Sequence, residues 1–228
     1  MENKKNSERN TSLHATLLDE AEVEKRSVNW YTVFDEWQGK IPSAYPLAYM
    51  LDRGFHPKTL DEWAIGWDII SQRISIPVRD EYGNLLGFKA RAVDDSKQRY
   101  KVLGGPEYGF ETYPVSGVLF GVHLVKKSGW LIIREGELNT IAMHEHGFDN
   151  TVGTGKSLSD RQIEMILKYA TDYVMVSYDD YRDSLNAARI LEQYVPVKVI
   201  PSSEKDPADM FKDEVYELIT SAESSVLL

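Results

Sequence analysis

Two carboxylates stand where apolar strands run out. Glu135 follows the run Trp130–Arg134 in WLIIREGELN, and Asp179 follows Tyr173–Tyr178 in YVMVSYDD. An ionised carboxylate buried without a partner is costly, so acids at these points belong at a rim where the chain leaves the core. In a parallel α/β sheet that rim, beyond the carboxyl ends of the strands, is also where ligands sit. Two acids delivered to one edge form half a shell for Mg2+ or Mn2+, which take carboxylate and water oxygens. Asp180, beside Asp179, is a third candidate ligand, with Asp183 close behind it. Acids here also face water or cap the helix that follows, where its dipole favours them, and the residues alone leave both readings open.

A second group of residues suits a polyanion. Arg73, Lys89, Arg91, Arg99 and Lys101 fall within one β-rich stretch. Alternation puts Lys89 with Arg91 on one face of GFKARAV, and Arg99 with Lys101 on one face of the next strand. Same-face cations on neighbouring strands can follow a phosphate backbone, although solvated strand faces look alike. The stretch VGTGKS resembles the end of a P-loop, but the first glycine of that motif would fall on Asn150, and the loop follows the second strand of its unit. A glycine-rich turn leading into a helix capped by Ser157 or Ser159 is expected instead, with Lys156 available to a phosphate. The five histidines lack ligand spacing: His144 and His146 are two apart on an expected helix and do not share a face.

The elements that must position these residues fall into two regimes. SAYPLAYMLDRGFHPKTLDEWAIGWD reads as two short helices parted at Gly54 and Pro57, with Leu47, Met50, Leu51, Phe55, Leu60 and Trp63 as core. RISIPVRD and LLGFKARAV alternate around a turn, which predicts a hairpin with Gly83-Asn84 at its tip, and QRYKVLGG adds a short strand. From Trp130 strands and helices alternate: strands at 130–134, 150–153, 173–178 and 197–200, helices at 137–147, 158–170 and 183–194. That order predicts an α/β fold, a mostly parallel sheet flanked by helices, preceded by a smaller α+β subdomain. The boundary is expected near Lys126–Gly129, giving 13–127 and 128–228. Residues 1–12 are polar and read as a disordered tail, and Leu17–Trp37 has a helical pattern.

Composition narrows the partners. With 26 basic and 36 acidic residues the chain has a net charge of −10, so contact with nucleic acid must come from a local patch. The absence of cysteine excludes disulfides, thiolate zinc sites and a cysteine nucleophile, and is compatible with a reducing compartment. The first residues lack the apolar core of a signal peptide and no run is long enough to span a bilayer, so the expectation is a soluble, cytoplasmic protein with no membrane partner.

In chain order, YMLDRGF, AIGW, RISIPVRDEYGNLLGFKARAV, RYKVLGGPE, GVLFGVHLV, LIIREGELNTIAM, TVGTGKSLSDRQIEMI, YVMVSYDDYRDSLNAARIL and SSEKDPADMF resemble the catalytic core of bacterial and phage-type DNA primases, over roughly residues 45–212. The resemblance implies an N-terminal α+β subdomain with a basic template-side surface, then a Toprim domain that holds catalytic Mg2+ or Mn2+. It makes Glu135 the Toprim glutamate, Asp179 the first acid of the D-x-D motif and Asp206 part of the D-P-x-D turn. Arg91 and Arg99 match template-side positions. Two positions depart from the pattern: Asn139 stands where the family usually has aspartate, and Tyr181 takes the place of the second D-x-D acid, with Asp180 at the usual glycine.

The implied activity is a primase-type nucleotidyltransferase of DNA replication that makes RNA primers from NTPs on a single-stranded DNA template. The implied partners are a helicase or a separate zinc-binding replication protein. Fewer carboxylates mean weaker or relocated metal, so two alternatives accompany this reading. One is a catalytically degenerate Toprim protein that binds nucleic acid or a replication or defence partner; the other is a Toprim nuclease. By residue, the candidate set is Glu135 and Asp179 for catalysis, the same pair with Asp180 for metal, and Arg73, Lys89, Arg91, Arg99, Lys101 and Lys156 for nucleic acid.

Overall fold

The computed structural model describes residues 46–203 and 205–224. The tail expected at 1–12 and the helical pattern from Leu17 to Trp37 lie outside them. Helices α1 (Pro46–Asp52) and α2 (Pro57–Glu62) each begin on proline, whose missing N–H goes unused in a first turn. Between them Gly54 adopts φ +86°, and a Cβ there would stand 2.2 Å from the carbonyl oxygen of Ala208. Only glycine lets this turn lie against the backbone of the D-P-A-D segment.

An antiparallel sheet follows, ordered β1 (Gly66–Asp68), β2 (Arg73–Arg79), β3 (Leu85–Arg91), β4 (Tyr100–Val102). The β2–β3 turn spans Asp80–Asn84, its carboxylate at Asp80 accepting from the N–H groups of Tyr82 and Asn84, with Gly83 at φ +87°. The Gly83 N–H donates to the Asp80 carbonyl, so the tip falls at Glu81-Tyr82, two residues earlier than the sequence suggested. In the β3–β4 ladder Lys89 faces Val102, Ala90 faces Lys101 and Arg91 faces Tyr100.

The second sheet holds β5 (Trp130–Arg134), β6 (Thr151–Gly153), β7 (Tyr173–Ser177), β8 (Val197–Val199) and β9 (Glu223–Ser224), in the order β6-β5-β7-β8-β9. The first four are parallel and β9 is antiparallel to β8. Helices α3 (Glu137–Glu145), α4 (Asp160–Tyr169) and α5 (Tyr181–Leu191) cross between strands, and α6 (Lys212–Thr220) precedes β9. Leu131, Ile133, Val174 and Val176 pack with Ile166 of α4 and Ala187, Ala188 and Leu191 of α5. Ile132 and Met175 pack on the opposite face with Val215 and Ile219 of α6. Covering both faces is what allows β5 and β7 to read as near-continuous apolar runs.

Helix α3 joins the two sheets. Its Leu138, Ile141 and Ala142 pack with Ile74, Ile76 and Val78 of β2, while Met143 packs with Ile132 and Met175. All seven residues from Glu137 to Met143 are buried, polar ones included. Burial of Ile141 alone, at 0 % exposure, contributes on the order of 2 kcal/mol. No helix among the described residues is long and apolar enough to cross a membrane.

Candidate active-site cleft

Strands β5 and β7 are neighbours, with Arg134 paired to Ser177, so Glu135 and Asp179 emerge at one rim. Burial first, then the Asp179 charge, raises the Glu135 pKa, and Lys156 opposes them. Lys156 Nζ lies 3.8 Å from Glu135 Oε1. Asp179 Oδ1 accepts from Asn139 Nδ2 at 2.9 Å and lies 3.7 Å from the Arg134 guanidinium. Asp206, entering from the loop after β8, pairs with Arg53 at 2.9 Å. Glu135, Asn139, Lys156, Asp179, Asp206 and Arg53 line a cleft of about 380 Å³ together with Lys89, Arg91, Arg99 and Tyr100, with Arg134 behind it.

The opposite wall is cationic and is built differently. Arg91 donates through Nε to the Tyr49 hydroxyl and through Nη1 to the Tyr100 hydroxyl, both at 2.8 Å, with its guanidinium over both rings. Burial pushes the Tyr100 phenol up to about 12, with the Arg91 charge working against it. Neutral phenols orient Arg91 without cancelling its charge. Lys89 donates to Glu137 Oε1 at 2.6 Å and lies 4.9 Å from the Tyr100 ring centre. Glu137 Oε2 has no hydrogen-bond partner among the described residues.

Several expected site residues stand elsewhere. Lys101 is opposite Ala90, and its ammonium is 5.9 Å from the Tyr108 ring centre, on the face away from the cleft. The sequence expectation that it joins Arg99 fails because Arg99 precedes β4, and within β4 it is Tyr100 and Val102 that pair with Arg91 and Lys89 while Lys101 pairs with Ala90. Arg73 does not line the cleft: its guanidinium donates to the carbonyls of Gln98 and Arg99, at 2.8 and 3.3 Å, and so ties down the approach to β4. Asp180 does not line it either; its carboxylate accepts from Arg182 N–H at 2.7 Å as the N-cap of α5. Tyr181 opens that helix with its ring against the apolar cluster between α5 and the sheet. Ser159, of the two serines considered, caps α4, in a capping box with Gln162. The rings of His144 and His146 engage the backbone carbonyls of Thr151 and Pro207.

Three participants were not singled out from sequence: Tyr49, Arg53 and Arg134. Arg134 did carry a signal, as a charge ending an otherwise apolar strand. As for a metal, Glu135 and Asp179 fit a cation that arrives with a phosphate, since Mg2+ commonly takes one or two carboxylates and completes its shell with phosphate and water oxygens. Among the described residues no three acidic or imidazole side chains converge into a shell of their own.

No family model matches the chain. It is 29 % identical over 155 residues to a DNA primase of Deinococcus radiodurans, a match covering 63 % of this chain and 26 % of that protein. The chain thus spans about a quarter of the length of the curated relatives it matches. Among solved structures it superposes on the E. coli primase catalytic core with a TM-score of 0.68 at 17 % identity, covering 92 % of this chain and 80 % of that one. A DnaG primase catalytic domain bound to ssDNA matches with a TM-score of 0.65 at 16 % identity, covering 91 % of this chain and 81 % of the other. The parallel sheet with flanking helices and the antiparallel sheet before it have the arrangement of that core. The chain is thus similar in sequence to bacterial DNA primases and has the fold of their catalytic core.

Proposed function

We propose that this chain is a primase-type Toprim nucleotidyltransferase core of DNA replication, with residues 13–127 as its template-side part and 128–228 as its Toprim part. The carrying observation is the one cleft that joins the cations Lys89, Arg91 and Arg99 to the acids Glu135 and Asp179. A single strand of DNA would run along the cationic wall; a DnaG primase catalytic domain of similar fold is known bound to ssDNA. The NTP phosphates would meet Lys156 and Arg99 beside the rim. Glu135 and Asp179 would hold Mg2+ or Mn2+, which supplies charge neutralisation to the phosphates when bound. Asp180, committed to the helix cap, is left out of that set. A helicase and a separate zinc-binding protein are the partners to look for, and the cytoplasm the compartment.

A second reading is favoured by one observation. Asp179, Glu135 and Asp206 each already have a cation of the protein beside them. That balance suits a protein that binds single strands without synthesis. Primer synthesis on an oligonucleotide template with all four NTPs, across Mg2+ and Mn2+ concentrations, separates the two. Extension products lost in Glu135→Ala and in Asp179→Ala support the first reading; products that persist in the double variant overturn its catalytic assignment. Salt-dependent strand binding that weakens about tenfold in Arg91→Ala, with no product at any metal concentration, supports the second. Shortening of the template would instead point to a nuclease.

A further inference from the structure

Arg134 is 6 % exposed, and among the described residues its one hydrogen bond runs from Nη1 to the Ser177 hydroxyl. Its Nε has no partner among the described residues. It borders a small cavity of about 60 Å³ behind the rim, together with Ser177, Asp179, Ser202, Lys205 and Asp206. A guanidinium stays protonated in proteins, so this is a buried positive charge with too few hydrogen bonds to hold it. Burial works to lower its pKa, and the carboxylates of Asp179, Asp206 and Glu135 work against that, in that order of strength. Glu135 and Asp179, the proposed metal pair, and Asp206 of the D-P-x-D turn are thus the three acids whose charges oppose the cost of burying Arg134.

The other two cations differ in kind. Lys156 is 76 % exposed in its side chain and Arg53 is 25 % exposed, so both can leave their acids for a phosphate. Arg134, buried at the end of the inner strand β5, has nowhere to go. Asp179 is also held by Asn139, which supplies a donor where a carboxylate would have added charge.

We infer that Arg134 is a built-in counter-cation for Asp179, Glu135 and Asp206, standing in for part of the charge of a divalent ion, so that the free protein binds such ions weakly and takes them up chiefly together with a phosphate-bearing nucleotide. This rests on reading Glu135 and Asp179 as the metal-side acids. A divalent ion entering alone must work against a fixed positive charge nearby, whereas a nucleotide's phosphates add negative charge and draw off Lys156 and Arg53.

The test uses the full chain without DNA or nucleotide, with Mn2+ alone as probe and thermal stability as readout, since a ligand of the folded state raises the midpoint by mass action. Arg134→Met is expected to reach a given shift at about tenfold lower Mn2+ than the parent, and Arg134→Lys to behave like the parent; a tenfold change corresponds to about 1.4 kcal/mol. Equal or weaker Mn2+ binding by Arg134→Met overturns the inference. A second variant keeps it falsifiable if that one does not fold: Asp179→Asn, measured in a chelator. If Arg134 depends on Asp179, the midpoint falls by several degrees, on the order of 5 °C. If the acids merely repel one another without an internal cation, the midpoint stays or rises and the inference fails. Neither measurement reads primer synthesis, so an inactive parent protein that still gives both results would refute the proposed function and leave Arg134's role standing.

Discussion

The two walls of the cleft hold their charges in opposite ways. On the β3 wall Arg91 is gripped by two phenols, which fix its orientation and leave its positive charge uncancelled. At the rim, Glu135, Asp179 and Asp206 each sit beside a cation. A wall of the first kind is ready for an anion as it stands; a rim of the second kind must exchange partners before it can take a cation. The difference teaches that the residue types at a site do not by themselves set its readiness. What each charge is bonded to decides that.

The exception on the cationic wall gives the largest expected effect. Lys89 is paired with Glu137, whose side chain is only 11 % exposed. Lys89→Met should cost about 3 kcal/mol in urea unfolding, because breaking a buried pair leaves its other charge uncompensated. Glu137→Gln in the same chain should return more than half of it. A loss below about 1 kcal/mol, as for exposed pairs, would mean that the wall is no more than a solvated strand face.

Asn139→Asp probes the rim. It replaces the donor to Asp179 by a second carboxylate, and should lower stability in a chelator by about 1–2 kcal/mol, with the loss recovered on adding Mn2+. Unchanged stability in the chelator would show that the hydrogen bond at 2.9 Å carries little. Because the Tyr181 ring is packed against the α5 cluster, restoring an acid at that position is expected to cost packing before it aids metal binding.

The smallest effect is one of pH. The Glu135 pKa is raised above 4.5 by burial and by Asp179. The folded state therefore holds that proton more tightly than the unfolded chain. Its contribution to stability is fully present below 4.5 and is lost as pH rises through the higher folded value. Glu135→Gln should flatten the decline in stability just above pH 4.5, read as unfolding free energy against pH. An unaltered slope would mean that Lys156 balances the carboxylate completely.

Much of this could be read along the chain, because the signals were local. The period of the apolar residues marked the hairpin and the alternating strands and helices, and boundaries fell within a few residues of those seen, as for α4 at Asp160–Tyr169 against 158–170. The position of Glu135 and Asp179 at one rim followed from strand-end placement and needed only that β5 and β7 be neighbours. Lys101 was misplaced because the facing of a β residue depends on register with another strand, and alternation within its own strand does not carry that.

By itself, then, the sequence determined the two regimes, the parallel sheet and the strand ends where charge could be tolerated, since backbone geometry and apolar periodicity act over a few residues. Only the tertiary structure decided which charge meets which. Helix α3 had to be wedged between the sheets before Glu137 could reach Lys89, 48 positions away. The Gly54 turn had to meet the backbone at Ala208 before Arg53 could reach Asp206, 153 positions away. Partnerships at that separation depend on how whole elements pack, and the same packing shuts out water and so fixes how strongly each charge feels its neighbour.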